Sequence, residues 1–247
     1  MRKKRGNVPY LSIVAPAYNE EVIIAETIEG WESYIRKEKL DAEVVICNDG
    51  SVDKTGEILA KLQKKYPNLI ICENKPNKGY GMAICNAIKH AKGKLIMTID
   101  SDGQFNVNSY KKLHRKLISG NYDLVTGYRY RKKDNLMRII ADRCFSLIMR
   151  TTFGLKFKDT NCAQKLYYAK VIKNIPIEAC GYPVPTEIMV KAAGLGAKIG
   201  EVGVVHNERK KGASKLKLFK TSINVLKFLF YLRFKLHAYK RKIIHSL

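Results

Sequence analysis

A chain of 247 residues is long enough for one large α/β domain, or two small ones, with a real buried core. Its 46 Lys and Arg against 22 Asp and Glu give a formal charge of +24 and a pI near 9.8, which points to a polyanionic partner: nucleic acid, an anionic membrane surface or phosphorylated substrates. Cysteines at 47, 72, 85, 144, 162 and 180 form no C-x-x-C pair and no Cys/His cluster of zinc spacing, so buried free thiols in a reducing compartment are expected.

The N-terminal Met1-Arg-Lys-Lys-Arg5 is basic, but Gly6, Asn7 and Pro9 interrupt any apolar stretch behind it, and no signal peptide is expected. No run of about 18 uncharged apolar residues occurs, so no membrane-spanning helix is expected either. Leu11 to Ala15 reads as a first strand, and Asn19 as the N-cap of a helix running to about Lys37. Glu43 to Cys47 is a second buried strand that stops at Asn48-Asp49-Gly50-Ser51-Val52-Asp53, with a helix from there to about Tyr66. Leu69 to Cys72 is a third strand, Asn74 to Gly81 a loop rich in Asn, Lys and Gly, and about Tyr80 to Ala91 a third helix. Strands alternating with helices in this way predict an α/β fold: a Rossmann-like, mostly parallel sheet with helices on both faces.

The second half is less regular. Asp123 to Thr126 reads as a strand closing into Gly127-Tyr-Arg129-Tyr-Arg131, and Leu136 to Phe153 as a helix. Asp159 to Tyr168 reads as a strand or a strand entered from a turn, followed by helices at about 169–174 and 184–194 and a last strand from Lys198 to Val205, ending at His206. The tail from Lys215 to Lys242 reads as a helix. Lys217, Lys220, Asn224, Lys227, Tyr231 and Lys235 fall on one face, and Leu218, Phe219, Ile223, Leu226, Phe230 and Phe234 lie largely opposite. Such a helix suits a membrane interface. It suits equally well docking on its own core or on a membrane-spanning partner subunit. The expected division is a domain over 9–214 and a basic amphipathic helix over 215–247.

The stretch Leu95-Ile-Met-Thr-Ile-Asp100-Ser-Asp102-Gly-Gln104-Phe105 organises the rest. A short apolar run suits a strand buried on both faces, and residues i and i+2 of a strand point to one side. Asp100 and Asp102 should therefore emerge together at the carboxyl end of that strand, where open α/β sheets bind ligands. Two carboxylates so close are tolerable with a divalent cation between them and a substrate. Taken alone, the same residues read as a turn that caps a helix from Asn106 onward. Glu20, Asp49 and Asp53 fall on the same edge, which favours the ligand reading; Glu20 also fits as a helix-N-terminal acid stabilised by the helix dipole.

With these positions in hand, the sequence resembles the inverting glycosyltransferases of family 2, which have the GT-A fold, and within them the dolichyl-phosphate mannose synthases and dolichyl-phosphate glucosyltransferases. The resemblance covers about residues 9–217. It is carried by Pro16-x-Tyr18-Asn19-Glu20, Asn48-Asp49-Gly-Ser-x-Asp53-x-Thr55, Lys78-Gly79-x-Gly81-x-Ala83, Asp100-Ser-Asp102-Gly-Gln104, Gly127-Tyr-Arg129-Tyr, Asp159-x-x-Cys162-x-x-Lys165 and Arg209-x-x-Gly212-x-Ser214-Lys215. Each is weak alone; seven in one order with similar gaps are specific. Ala163-Gln164 departs from the usual Gly-Phe, and Lys165 stands where the mannose synthases have Arg, which is closer to the glucosyltransferase branch.

The resemblance implies a nucleotide sugar as donor, a polyprenyl phosphate as acceptor, and Mg²⁺ or Mn²⁺ held by Asp102 and Gln104. Pro16, Tyr18, Glu20, Cys47, Asp49, Asp100, Ser101, Asp102, Arg129, Arg209 and Lys215 are then expected to bind the donor. Asp102, Arg129, Lys165 and Lys215 are expected to act in the transfer, with Arg209 and Ser214 helping to gather phosphates. A phosphate acceptor needs no general base, and Glu187 is the one late acid that invites the role. The implied setting is peripheral, on the cytoplasmic face of a membrane. The competing readings are transfer to a glycan hydroxyl, a non-catalytic homologue and a basic nucleic-acid-binding module. The last lacks an RNP pattern, a helix-turn-helix or a zinc site, so no nucleic-acid partner is expected.

Overall fold

The computed structural model describes residues 8–130, 136–179, 181, 183–207 and 218–240, without the side chains of 136–143, 218–224 and 239–240. Arg131, Cys180, Arg209, Gly212, Ser214, Lys215 and Lys217 lie outside the described residues, as does the expected boundary near 214.

The Val- and Ile-rich runs form strands covered on both faces. β1 (Leu11–Ala17), β2 (Ala42–Asn48), β3 (Leu69–Glu73) and β4 (Leu95–Thr98) pair in parallel. The crossovers between them are α1 (Ile24–Lys37), α2 (Thr55–Lys65) and α3 (Tyr80–His90). A short 3₁₀ turn at Val107–Ser109, capped by the Asn106 side chain, leads into α4 (Tyr110–Ser119). β5 (Leu124–Arg129), α5 (Leu136–Phe153), β6 (Lys165–Tyr168), α6 (Ala169–Ile172), α7 (Val184–Gly194), β7 (Ile199–Val204) and α8 (Leu218–Lys240) complete the chain. The seven-stranded sheet has the order β3-β2-β1-β4-β6-β5-β7. β6 runs antiparallel to both its neighbours, and every other pairing is parallel.

Alternate side chains of each strand feed two cores. Ile13, Val44 and Ile46 point to the side covered by α1, α2 and α4. Val14, Val45, Cys47 and Ile96 point to the side covered by α3, α7 and α8. The sheet's outer strand β7 carries two glycines. A Cβ on Gly200 would lie 2.9 Å from the Tyr122 ring, and one on Gly203 would lie 3.0 Å from Tyr130 and 3.2 Å from Tyr128.

Two sequence expectations need correction. The first helix begins at Ile24 rather than just after Asn19. Asn19 sits at φ +52° and its side chain accepts from the Val52 N–H, so it ties two loops together instead of capping a helix. Of the two readings of Asp159–Tyr168, the strand entered from a turn is the one observed: a turn at 160–161 precedes it, and only Lys165–Tyr168 is extended in the sheet. The described part of α8 buries a face different from the apolar one read from the sequence: Val225, Leu229, Leu232 and Leu236 pack into the second core, while Leu226, Phe230 and Phe234 remain exposed.

Candidate active site

The carboxyl ends of β1, β2, β4 and β5 meet at one edge, and each ends in a loop that its neighbours hold. The β1 and β2 loops are laced together. Asn19 N donates to Ser51 Oγ (3.0 Å), Glu20 N to Thr55 Oγ1 (2.8 Å) and Glu21 N to Asp53 Oδ2 (3.2 Å). Asp53 also accepts from Thr55 N at the start of α2 (2.9 Å), so this acid serves the loop architecture. Tyr18 is exposed beside these loops, and Pro16 and Glu20 are half-buried.

Asp49 is 2% exposed. Its carboxylate accepts from Asn74 Nδ2 (2.7 Å), Lys78 N (3.0 Å) and Gly79 N (2.9 Å). An ionised carboxylate has about four acceptor positions, and three are used to fold the Lys-Gly loop against β2. Gly79, at φ +87°, directly precedes α3, and the next residue turns into the site: Tyr80 Oη donates to Asp100 Oδ1 (2.9 Å). Gly81 then allows α3 to touch the 175–179 segment, for a Cβ there would lie 1.7 Å from the Ala179 carbonyl oxygen.

The Asp100–Gln104 turn leaves β4 with Gly103 at φ +75°, a conformation that a side chain rarely adopts. Ser101 Oγ donates to the Pro16 carbonyl (2.7 Å), pinning the turn to β1. Asp102 Oδ1 accepts from Gln104 N (3.0 Å). Burial, and then the neighbouring Asp102 charge, raise the Asp100 carboxyl well above the usual carboxylate range, while the Tyr80 hydrogen bond and Arg129 oppose them. Burial and Asp100 likewise raise the Tyr80 phenol. Asp102, Glu20 and Arg129 thus all act on Asp100. A cleft of about 300 Å³ opens beside Asp102, between α1 and the 3₁₀ turn, with Thr27, Trp31, Phe105 and Asn207 among its walls.

The end of β7 reaches this turn. Asn207 N donates to the Gln104 carbonyl (2.8 Å), Gln104 Nε2 donates to the Asn207 carbonyl (3.2 Å), and the His206 ring stands edge-on to Phe105 at 4.8 Å. On the other flank, Arg129 is held at the end of β5 by Asp159, through Nε to Oδ2 (2.5 Å) and an Nη to Oδ1 (3.0 Å). Burial pushes the Asp159 carboxyl up, but the Arg129 hydrogen bonds and charge outweigh it, and the net shift is down.

Two expected site residues do not face this edge. Lys165 is fully buried, and its ammonium donates to Thr126 Oγ1 (2.8 Å), the Thr160 carbonyl (3.2 Å) and the Cys162 carbonyl (2.6 Å). All three N–H groups are engaged inside the fold, so it is not placed to grip a phosphate, and burial lowers its pKa to about 8. Cys47 points into the second core from β2 and accepts from Asn86, because a strand's alternation sends it away from Asn48 and the loops. Glu187 is also fully buried, accepting from Glu178 N and Ala179 N and pairing with Lys191, which fits a structural role rather than that of a base. Conversely, Tyr80 and Asp159 were assigned no role from sequence. Tyr80 had only a weak signal, an aromatic opening a helix behind a glycine loop. Asp159 stood in a matched motif thirty residues from its partner.

The family model described as "Glycosyl transferase family 2" matches residues 12–177. The chain is 33% identical over 217 residues to a dolichyl-phosphate beta-glucosyltransferase of Trichomonas vaginalis, covering 81% of this chain and 66% of the relative. It is 29% identical over 232 residues to a dodecaprenyl-phosphate galacturonate synthase of Rhizobium johnstonii, covering 91% and 68%. The chain therefore spans about two thirds of the length of these relatives. Among solved structures, glucosyl-3-phosphoglycerate synthase from Mycobacterium tuberculosis superposes with a TM-score of 0.70 at 18% identity, over 91% of this chain and 80% of that one. The same enzyme in complex with Mn²⁺, UDP-glucose and phosphoglyceric acid gives a TM-score of 0.67 over the same shares. The sheet, its loop-lined carboxyl edge and the matched motifs are those of a GT-A glycosyltransferase, and the chain belongs to glycosyl transferase family 2.

Proposed function

We propose that the protein transfers a hexose from a nucleotide-diphosphate sugar to a polyprenyl phosphate at a membrane surface. The observation that carries this reading is the Asp100–Gln104 turn on the carboxyl edge, in a chain 33% identical to a dolichyl-phosphate beta-glucosyltransferase. The Pro16–Glu20 and Asp49 loops flank that turn and would enclose the nucleotide. Asp49 does so mainly by ordering the Lys78–Gly79 backbone.

A divalent cation fits the donor set. Half-buried acids crowd here until one carboxyl is raised, which is the environment that a cation relieves. Among the described residues no group of three His, Cys, Asp or Glu is spaced to hold a metal ion. That suits an ion bound by one or two protein oxygens and otherwise by substrate phosphates. Asp102 and the Gln104 amide oxygen would hold Mg²⁺ or Mn²⁺, which when bound supplies Lewis-acid stabilisation of the departing diphosphate.

In the transfer, an acceptor phosphate oxygen bonds to the anomeric carbon. The bond from that carbon to the donor diphosphate breaks, and its electron pair leaves with the diphosphate. A phosphate is already an anion at neutral pH, so no side chain has to remove a proton. Arg129, oriented by Asp159, would meet phosphate charge at the edge of the site. Arg209 and Lys215, which lie outside the described residues, are assigned to the phosphates on the match of the basic motif Arg209-x-x-Gly212-x-Ser214-Lys215.

The test is incubation with polyprenyl phosphate, metal and a panel of nucleotide sugars. Formation of lipid-linked sugar is expected, with a loss of at least about a hundredfold for Asp102→Ala. Transfer to glycan hydroxyls without lipid-linked product would refute the acceptor assignment, and near-normal turnover of the variant would refute the metal assignment.

A further inference from the structure

The described part of α8 has two apolar faces. One, formed by Val225, Leu229, Leu232 and Leu236, is buried against the domain. Glu178 fixes the helix's rotation about its axis: it accepts from Tyr231 Oη (3.2 Å) and Lys235 Nζ (2.7 Å) on α8, and from Lys191 Nζ on α7 (2.5 Å). The other face then has to point outward. Leu226, Phe230 and Phe234, one turn apart, are 49%, 67% and 61% exposed, with the two Phe rings edge-to-face at 5.1 Å. By helical spacing, Lys227 borders this stripe on one side and Arg233 on the other, and both are exposed.

We infer that this stripe is the protein's contact with an anionic lipid bilayer, an inference that rests on the membrane-surface reading above. Exposed Phe and Leu between basic side chains is the pattern of a helix lying in a lipid interface, and a chain of formal charge +24 complements negative headgroups. The same charge opposes a second copy of the chain as the occupant. So does the stripe's size: roughly 350 Å² of apolar surface, against roughly 800 Å² per partner in a stable protein interface. The helix is clamped to the 178–179 segment, which backs onto Gly81, and so it presents the bilayer to the domain in a fixed orientation.

The experiment is flotation of the full chain with phosphatidylcholine vesicles, with and without phosphatidylserine, at low and high salt. Sugar transfer to a water-soluble short-chain prenyl phosphate is measured in parallel. Binding is expected only with phosphatidylserine and should weaken in high salt. Phe230→Ser with Phe234→Ser should weaken it at least tenfold, with melting temperature and transfer to the soluble acceptor unchanged. Lys227→Glu with Arg233→Glu should abolish binding to the phosphatidylserine vesicles, and binding equal to wild type would likewise overturn the inference. Vesicle binding by the Phe variant equal to wild type would overturn the inference. A wild-type dimer that the same two substitutions dissociate would overturn it in favour of a second copy. Absence of transfer to the soluble acceptor would overturn the acceptor assignment, while the vesicle data still decide the surface.

Discussion

Lys165 is where sequence and structure assign opposite roles, and Lys165→Met separates them. In the fold, the substitution leaves the Thr160 and Cys162 carbonyls and the Thr126 hydroxyl without their donor. At roughly 1–2 kcal/mol each, that is about 5 kcal/mol of lost stability. Against it stands relief of the ammonium's desolvation, which has moved the pKa from 10.5 to about 8, a difference of about 3 kcal/mol at 1.36 kcal/mol per unit. The net expectation at pH 7 is a variant less stable by about 2 kcal/mol. The pH dependence adds a signature. Between about pH 8 and 10.5 the unfolded chain holds the proton that the folded chain has released, so wild-type stability rises with pH in that window. From pH 7 to 9.5 the rise is about 2 kcal/mol; the variant lacks it, and the gap widens. Urea unfolding followed by the fluorescence of the single, buried Trp31 measures both values. Equal stability of the two proteins at both pH values, with a KM for nucleotide sugar raised more than tenfold, would refute this reasoning and return Lys165 to the phosphates.

Three further outcomes follow from the same geometry. Gly81→Ala places a methyl on the Ala179 carbonyl and should destabilise by about 3 kcal/mol; a melting curve like wild type would mean that the 175–179 segment yields freely. Asp159→Asn leaves the Arg129 guanidinium poorly compensated and should destabilise by about 3 kcal/mol at pH 7. Because the folded Asp159 pKa lies below its ordinary 3.8, that advantage of the wild type is fully present above about pH 5 and should shrink as pH falls through the folded pKa. A gap that is constant down to pH 3 would count against the pair. Tyr80→Phe removes the phenol donor to Asp100 and should lower turnover about tenfold with less than 1 kcal/mol change in stability; unchanged turnover would place Tyr80 outside the site.

The parallel half of the fold was legible because each strand there is a short apolar run closed by Asn, Asp or Gly, and each helix has one apolar stripe. The carboxyl-edge position of Asp49, Asp100 and Asp102 follows from where the apolar runs stop, just before these acids. Alternation along the strand places Cys47 in the core, since Cys47 and Asn48 are adjacent and must face opposite ways; the donor-binding role implied by the resemblance runs against it. Lys165 misleads for a different reason. A lysine is usually solvated, and the sequence does not show that Thr126, Thr160 and Cys162 bring three oxygens around one point. The antiparallel entry of β6 rests on tertiary pairing with β4 and β5, which no local pattern announces. Asn19 carries the residue type of a helix cap, but the Ser51–Val52 loop competes for it and wins.

The tyrosines over β7 bear on how this chain avoids polymerising through its sheet. Among the described residues β7 is an edge of the sheet, with one row of backbone groups not paired by β5 and available in principle to another strand. Gly200 and Gly203 leave gaps in that strand which the rings of Tyr122, Tyr128 and Tyr130 fill. The rings so restore the side-chain cover that glycine removes, while Glu201 between them accepts from Lys158 N (2.7 Å) and Asp159 N (3.2 Å) and ties the segment before β6 to this strand. A fragment cut where the family match ends, at residue 177, would lose β7 and bare the Leu124–Arg129 strand instead. That strand's backbone groups, which β7 pairs in the whole chain, would then lack their partner, so the shorter fragment should aggregate more readily than the whole chain.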